Sequence, residues 1–487
     1  MINKNKHNRE KAKEALSADN RRDFIKKAGL GALGMGGMLF LPDEKVIAQN
    51  TKKTFKTGPK IKQINVTPIA FTDPPVLNAA GLHAPYALRN IVEVITDDNI
   101  SGISEMHGGI ANTNALEAAK GLLIGKDPFQ LNEIKRTLQT HFGKEEAQKR
   151  GDAAYWNNGQ LSTVFGAVEV ACLDIMGKIT GRPVVDLLGG KMREQVPFAA
   201  YLFYKYEGAG GKLGFKTDNN AKGWAAVRQA KALDPAGIVA EAKGMCEEFG
   251  FKSIKLKGGV FEPQKEVDAM FALREAFGPD VPLRVDPNAL WKVETGIKYG
   301  KMMDGLLEYL EDPVRSQENM AKVRKEIKTP LATNMCTTAF EHIPSSIALG
   351  SEDIILTDHH YWGGLKASMD VGRICEVFGR GISMHSNSHL GISLAAMVHL
   401  GGALPYLTTA LDTHYPWQSE EVITGGRLKF EEGSVQVPQG PGLGVELDKK
   451  ALALLHKNYL DSGLTKRDDA KEMQKVQPGW VFKNDRW

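Results

Sequence analysis

Carboxylate and amide side chains follow three successive apolar segments in the second half of the chain. They are Asp286, Glu311 and Asn334. Oxygen atoms of this kind are the ligands that a hard cation such as Mg²⁺ takes in proteins, with water or substrate at its remaining positions. The spacing therefore predicts a Mg²⁺ site, although Asp and Asn at such places also serve as helix caps and turn residues.

Two lysines, Lys255 and Lys257, stand two residues apart in another apolar segment. Side chains at this spacing on a strand point to the same face. Neighbouring ammonium groups repel each other, which lowers the pKa of one of them and would let that lysine act as a base. The alternative interpretation is a solvated lysine pair on a sheet edge.

A histidine, His385, ends a further apolar segment, and Asp358 ends the segment before it. On adjacent strands the carboxylate would accept a hydrogen bond from one imidazole nitrogen and raise the basicity of the ring. Such a pair could move a proton on the opposite side of a substrate from Lys257. His359, His360 and His389 lie nearby, and spacing alone does not exclude them.

Eight short apolar strands between residues 196 and 416 position these side chains, and helical patterns separate most of the strands. The pattern predicts an α/β fold with a closed (β/α)8 barrel, in which active sites gather at the carboxyl ends of the strands. An open doubly wound sheet is the alternative. The strands are Phe198–Tyr204, Ser253–Lys257, Leu283–Asp286, Leu307–Glu311, Leu331–Asn334, Ile354–Asp358, Ile382–His385 and Leu407–His414.

The segments on either side of the barrel have a different pattern. Residues 60–190 predict an α+β domain, with strands at Ile61–Phe71 and Arg89–Glu105, the second interrupted at Asp97. Helices are predicted at Asn114–Ile124, Pro128–Phe142 and Leu161–Gly177. Residues 417–487 are rich in turns and then helical at Lys449–Ser462.

The first 48 residues form a basic leader. Arg21 and Arg22 precede an uncharged stretch, residues 28–42, that is too short and too rich in glycine for a membrane span. This order resembles a twin-arginine export signal. We therefore expect removal of the leader after Ala48, export to the periplasm and no stable membrane span in the processed protein. The alternatives are a basic tail or an anchor that is retained.

The charge of the chain argues against a nucleic-acid partner. Of 62 Lys and Arg and 58 Asp and Glu in 487 residues, residues 1–48 hold ten and six, so the remainder carries 52 of each. A nucleic-acid binder would place its excess of positive charge on the folded part. The four cysteines are far apart and predict neither a disulfide framework nor a zinc site.

Several motifs together resemble the enolase superfamily and, within it, the glucarate dehydratase group. The resemblance spans roughly residues 60–483, and the stretch from His385 to Ser393 is its most specific part. The other matching stretches are 250–259, 286–291, 311–313, 332–335, 412–414, 433–448 and 467–470.

The resemblance implies a modified (β/α)8 TIM-type barrel with an N-terminal α+β capping domain, to which residues 417–487 return. It implies that Asp286, Glu311 and Asn334 bind Mg²⁺. It also implies that Lys257, supported by Lys255, and His385, paired with Asp358, are two bases. The positions that match substrate-binding residues are His83, Tyr201, Asn288, Ser386, Asn387, His414 and Arg467.

The implied activity is that of a carbon–oxygen lyase. It would dehydrate a sugar diacid such as D-glucarate, by removal of the proton next to a carboxylate and loss of the β-hydroxyl, to a keto-deoxy acid. The alternatives are a dehydratase or epimerase of another acid sugar, or a catalytically silent exported sugar-acid binding protein. A homo-oligomer is also expected. Asp358-His359-His360 stands where the family usually has Asp-Pro-His.

Overall fold

The computed structural model describes residues 58–149, 159–484 and 486–487, and for residues 144–149 it describes the backbone only. The strands are β1 (Ile61–Thr72), β2 (Leu77–Asn78), β3 (Gly81–Leu82), β4 (Tyr86–Thr96), β5 (Ser101–His107), β6 (Gln195–Pro197), β7 (Ala200–Phe203), β8 (Ile254–Lys257), β9 (Leu283–Asp286), β10 (Tyr309–Glu311), β11 (Leu331–Thr333), β12 (Ile354–Thr357), β13 (Gly381–Met384) and β14 (Ser434–Gln436).

Helices alternate with the strands over most of the chain. The α-helices are α1 (Ile110–Leu123), α2 (Leu131–Lys149), α3 (Gly159–Thr180), α4 (Val184–Leu187), α5 (Trp224–Val227), α6 (Pro235–Phe249), α7 (Pro263–Phe277), α8 (Val293–Met302), α9 (Gln317–Arg324), α10 (Ile343–Leu349), α11 (His359–Trp362), α12 (Leu365–Val377), α13 (Gly391–Ala403), α14 (Lys449–Ser462) and α15 (Asp469–Val476). Short 3₁₀ turns occupy Gly211–Leu213, Phe340–His342 and Tyr415–Trp417.

An antiparallel sheet in the order β1-β4-β5 forms the cap. The strands β4 and β5 come from the predicted Arg89–Glu105 segment, and the turn between them contains Asn99 with a φ of 62°. Helix α3 packs against β5. Because α3 is buried on almost every face, its sequence is apolar nearly all round rather than along one stripe.

A second sheet is parallel and has the order β13-β12-β11-β10-β9-β8-β7. Its strands alternate with helices and are buried on both faces, which accounts for their near-continuous apolar runs. The predicted α/β fold, a modified barrel with an α+β cap, is confirmed.

The predicted eighth strand, Leu407–His414, is wrong as a regular strand, although the segment closes the ring. Leu411 N donates to Pro197 O (2.9 Å) on one side, and Asp412 N donates to Met384 O (3.1 Å) on the other. The Thr408 hydroxyl accepts a hydrogen bond from Ile382 N (3.0 Å), so a side chain takes the place of a backbone acceptor there. This exchange interrupts the regular ladder that defines a strand.

The C-terminal segment returns to the cap. Helix α14 packs against β1 and begins at Asp448, whose Oδ1 accepts hydrogen bonds from Lys450 N (2.8 Å) and Ala451 N (3.0 Å). Helix α15 packs against β3. Asp469, its first residue, and Arg467, two residues before it, contact His83 of the cap. The C-terminal segment therefore contributes side chains to the space between cap and barrel.

In the part of the chain that the structure describes, no helix combines the length and apolarity that a membrane crossing needs. The predicted export signal, residues 1–48, lies outside the described residues.

Candidate active site

A cavity of about 670 Å³ lies between the carboxyl ends of the barrel strands and the cap. Lys257 ends β8, Asn288 follows β9 and His385 follows β13, so three strands contribute to its floor. The cap contributes His83 and His107 to the wall. The site therefore has the position that active sites take in barrels of this kind.

The three predicted cation ligands stand at the ends of adjacent strands, β9, β10 and β11. The Asp286 and Glu311 side chains are fully buried. Burial raises the pKa of the Glu311 carboxyl well above its usual value; Lys255 opposes this shift, and the neighbouring Asp286 carboxylate adds to it. The ends of these strands thus concentrate acidic groups in a place where negative charge is costly without a cation.

Local turns orient these ligands. Asp286 Oδ1 accepts a hydrogen bond from Asn288 N (2.8 Å), and Asn288 adopts a left-handed conformation with a φ of 57°. Asp312 Oδ2 accepts a hydrogen bond from Asn334 N (2.8 Å). The turn predicted for the Asp-Pro-Asn motif is therefore present. It uses Asp286 Oδ1 and is compatible with the predicted role of Asp286 as a ligand, because Oδ2 points to Lys257 instead.

The donor set fits a hard cation. Glu311 Oε1 and Asn334 Oδ1 are buried and accept no hydrogen bond from any residue the structure describes. A buried acceptor without a donor costs about 1–3 kcal/mol, and a bound cation would remove that cost. Carboxylate and amide oxygens also match the preference of Mg²⁺.

The two lysines are both inside the barrel, but they have different partners. Lys257 Nζ lies 2.6 Å from Asp286 Oδ2, and Lys255 Nζ lies 2.5 Å from both Glu311 Oε2 and Asp412 Oδ2. Burial opposes the charge of Lys255, yet the Asp412 and Glu311 carboxylates outweigh it and raise the pKa of Lys255 well above its usual value. The lowered pKa predicted for one lysine of the pair therefore does not belong to Lys255.

The predicted histidine–carboxylate pair is formed. His385 Nδ1 lies 3.0 Å from Asp358 Oδ2. Burial alone would raise the pKa of the Asp358 carboxyl, but contacts with His360 and His385 hold it well below its usual range. Asp358 is thus an ionised acceptor that directs the Nδ1 proton of His385, which leaves Nε2 as the nitrogen that can take up a proton.

His360 contacts the other oxygen of the same carboxylate, with Nδ1 2.7 Å from Asp358 Oδ1. Asp358, His359 and His360 offer ligand atoms within 4.8 Å of one another. However, Arg89 Nη2 lies 2.8 Å from His360 Nε2, and a guanidinium at that place opposes a second cation. We therefore assign no metal site to this group.

The predicted substrate-binding residues surround the cavity with one exception. Tyr201 lies behind the lining, with its ring 4.7 Å from Lys255 Nζ and 4.8 Å from the His414 ring. Arg467 lies beside His83 at 3.4 Å from its Nδ1. The residues that line the cavity are His83, Asn288, Ser386, Asn387, His414 and Arg467.

Two further residues of the cavity wall, Arg89 and His107, were not predicted from the sequence. Arg89 Nη1 donates to His107 Nδ1 at 2.6 Å, and His107 Nε2 has no partner among the described residues. Burial and the Arg89 charge hold the pKa of His107 well below its usual value. A charged residue within the apolar pattern of β4 was the only signal in the sequence that could have drawn attention to Arg89.

Comparison with known proteins supports the same architecture. The profile of the mandelate racemase / muconate lactonizing enzyme N-terminal domain matches residues 74–189, and that of the enolase C-terminal domain-like family matches residues 237–451. A probable glucarate dehydratase of Streptomyces coelicolor is 44% identical over 430 residues, which are 86% of this chain and 97% of that protein.

Two solved structures are also similar. An enolase from Thermobispora bispora complexed with magnesium and formate is 48% identical, with a TM-score of 0.81 over 88% of this chain and 100% of that one. An enolase from Pseudomonas fluorescens with bound magnesium, potassium and tartrate is 44% identical, with the same TM-score and the same coverage of 88% and 100%.

A capping domain over a barrel, with acidic and basic residues at the strand ends, defines the class of protein. The chain belongs to the enolase superfamily. Within the superfamily it belongs to the glucarate dehydratase group. The predicted class of enzyme, a hydro-lyase acting on a sugar acid, is confirmed at the level of this group.

Proposed function

We propose that this protein is a Mg²⁺-dependent dehydratase of sugar diacids of the D-glucarate type. One observation carries the proposal: Lys257 and His385 line one cavity from strands that stand far apart around the ring. Counting through the closing segment, β8 and β13 are three positions apart in one direction and five in the other. Two proton acceptors can therefore approach a substrate from different sides.

Asp286, Glu311 and Asn334 would hold the metal ion. A bound Mg²⁺ would supply positive charge that stabilises the enediolate formed when the carbon next to a substrate carboxylate loses its proton. Lys255 is held by Glu311 and Asp412 and is charged, so it adds a fixed positive charge to the same region.

The protein residues divide the proton transfers. Lys257 or His385 takes the proton from the carbon next to the carboxylate, according to the configuration of that carbon. Protonated His385 then gives a proton to the leaving β-hydroxyl, which departs as water. The enol that results tautomerises to a keto-deoxy acid. Asp358 keeps the Nδ1 proton of His385 in place, so that Nε2 carries the transferred proton.

A diacid is favoured by cationic residues in the cavity lining. Arg467 and Lys466 line the cavity and belong to the C-terminal segment rather than to the strand ends that carry the metal ligands, and His83 lies beside Arg467. A cationic group there suits a second carboxylate. We propose no nucleic-acid partner, and the homo-oligomer and the export of the protein stay predictions.

The test is a turnover assay of the purified full chain on D-glucarate and a panel of other aldarates and aldonates. In the presence of Mg²⁺, turnover should yield a keto-deoxy acid with loss of one water. Chelation of Mg²⁺ should abolish this activity. Solvent deuterium incorporation without keto acid would overturn dehydration in favour of epimerisation. Binding without either reaction would point to a catalytically silent sugar-acid binding protein.

A further inference from the structure

We propose that Arg89, a residue of the cap, is a positioning residue for the proton transfers of His385, and that it acts through His360 and Asp358. The inference rests on the proposed function and deepens it, because it assigns control of one of the two bases to the cap.

Arg89 is 1% exposed, and its guanidinium has partners on three sides. Nε donates to Glu105 Oε1 at 3.0 Å, and Nη1 donates to His107 Nδ1 at 2.6 Å. Nη2 lies 2.8 Å from His360 Nε2. The first two partners belong to the cap and the third to the barrel, so a single charged group joins the two.

The contact with Arg89 decides where the proton of His360 lies. A guanidinium has donors and no acceptor, so Arg89 Nη2 requires His360 Nε2 to be an acceptor. The ring proton of His360 must then be on Nδ1, which donates to Asp358 Oδ1 at 2.7 Å. Ser393 Oγ accepts a second hydrogen bond from Arg89 Nη2 at 3.1 Å, and its hydroxyl can donate to His360 Nε2 at 2.7 Å, which agrees with Nε2 as an acceptor.

The arrangement of Asp358 follows from that of His360. Asp358 Oδ1 accepts hydrogen bonds from the backbone N (2.9 Å) and Nδ1 (2.7 Å) of His360, so Oδ2 is the oxygen left to accept from His385 Nδ1 at 3.0 Å. If His360 carried its proton on Nε2 instead, its Nδ1 would turn a lone pair toward the carboxylate. Asp358 would then lose a donor and the fixed orientation of its Oδ2.

Glu105 keeps the guanidinium in place. Its two oxygens accept hydrogen bonds from Leu390 N (2.8 Å) and Ser393 N (3.0 Å) as well as from Arg89. The start of α13 and the guanidinium are thus held by the same carboxylate. The position of Arg89 relative to His360 therefore depends on the docking of the cap onto the barrel.

The first test observes the ring nitrogens of the ¹⁵N-histidine-labelled full chain by NMR, in the absence of substrate. In the wild type the His360 proton should be on Nδ1. Arg89→Gln, whose amide oxygen can accept, should move it, wholly or in part, to Nε2, whereas Arg89→Lys, whose ammonium only donates, should move it less. A matched control is Arg380→Lys, because Arg380 forms another buried pair, with Nη1 3.2 Å from Glu352 Oε1, outside the cavity lining. It should leave the His360 signals unchanged.

The second test compares two substrates that are epimeric at the reacting carbon, and it measures the exchange of that hydrogen with solvent deuterium. Exchange through His385 should fall about 10- to 100-fold in the Arg89 variants with little change in KM. Exchange through Lys257 should change less than about threefold. Arg89→Lys should keep more activity than Arg89→Gln.

The outcomes separate the inference from the proposed function. An unchanged His360 proton position in folded Arg89 variants, or an equal loss of both exchange reactions, overturns the role of Arg89. If the wild type has no turnover, the proposed function fails. The NMR measurement then still supports or overturns the effect of Arg89 on His360.

Discussion

The two sides of the cavity are built in different ways. On the Lys257 side, the charged groups come from the ends of the neighbouring barrel strands β8, β9 and β10 and from Asp412, on the segment that closes the ring. On the His385 side, the hydrogen bonds run from Arg89 of the cap through His360 to Asp358. The barrel alone positions the charged groups of the first side, whereas those of the second side are positioned by the contact between the cap and the barrel.

The two sides also differ in how many of their buried oxygens have hydrogen-bond donors within the protein. Glu311 Oε1 and Asn334 Oδ1 lack donors within the described chain, and burial raises the pKa of the Glu311 carboxyl. Asp358, in contrast, has its pKa held low by contacts with two histidines. The first side thus has buried oxygens that suit a cation, whereas on the second side hydrogen bonds within the protein occupy both oxygens of Asp358.

The largest effects are expected when the two bases are replaced one at a time, which tests whether the two sides of the cavity act independently. His385→Asn should lower dehydration by about 10³-fold or more, while hydrogen exchange through Lys257 persists on the matching epimer. Lys257→Met should abolish that exchange and spare exchange through His385. Rates are measured by keto-acid formation and by deuterium incorporation. Loss of both exchange reactions in either folded variant would show that the two sides are not independent.

Removal of one metal ligand should have the next largest effect. Glu311→Gln should weaken Mg²⁺ binding at least about 100-fold in calorimetry, and should abolish the rise in unfolding temperature that Mg²⁺ produces. His385 and Asp358 should keep their hydrogen bond, which ¹⁵N NMR would report. The exposed Glu318→Gln is the control. Unchanged Mg²⁺ affinity in Glu311→Gln would contradict the ligand assignment.

The smallest expected effect is on the pH dependence of stability, and it comes from Glu169 at the contact between cap and barrel. Glu169 of α3 accepts hydrogen bonds from Leu365 N (2.5 Å) and Lys366 N (3.2 Å), and burial raises its pKa to about 7. A carboxyl with a raised pKa favours folding below the unfolded pKa, and that contribution is lost as the pH rises through 7. We expect the free energy of unfolding to fall between about pH 4.5 and 7, by about 3 kcal/mol at most.

Glu169→Gln should remove this part of the pH dependence, because a glutamine does not titrate. Urea denaturation of both proteins at several pH values measures the slope. Glu376→Gln is the matched control, since Glu376 is an exposed residue of α12. If the wild type and Glu169→Gln had the same slope, burial of the Glu169 carboxylate would not be the cause.

The sequence predicted the Lys257 side better than the His385 side, for a physical reason. Parallel strands bring their carboxyl ends to one edge, so apolar runs that end in Asp286 and Glu311 are enough to predict a cluster. The pairing of Asp358 with His385 could be predicted in the same way. The partners of Lys255 could not, because Asp412 lies on a segment whose alignment with β8 depends on closure of the ring.

The roles of Arg89 and His107 could not be predicted because they depend on how two domains dock. Within β4, Arg89 is only a charged residue in an apolar strand, and nothing nearby in the sequence indicates His360 as its partner. The irregular form of residues 407–412 was missed for a different reason. There the Thr408 hydroxyl, and not a backbone carbonyl, accepts the hydrogen bond from Ile382 N, and a hydropathy pattern does not indicate such a change of acceptor.

The segment that completes the ring has a consequence for how substitutions inside the barrel should be understood. Asp412 lies on that segment, and its carboxylate contacts Lys255 of β8 at 2.5 Å and Arg284 of β9 at 3.6 Å. Ionic attraction across the interior thus supplements the sparse backbone pairing at this join. Loss of Lys255 would therefore weaken this join as well as remove the positive charge beside Glu311, so the activity of a Lys255 variant has meaning only together with its stability.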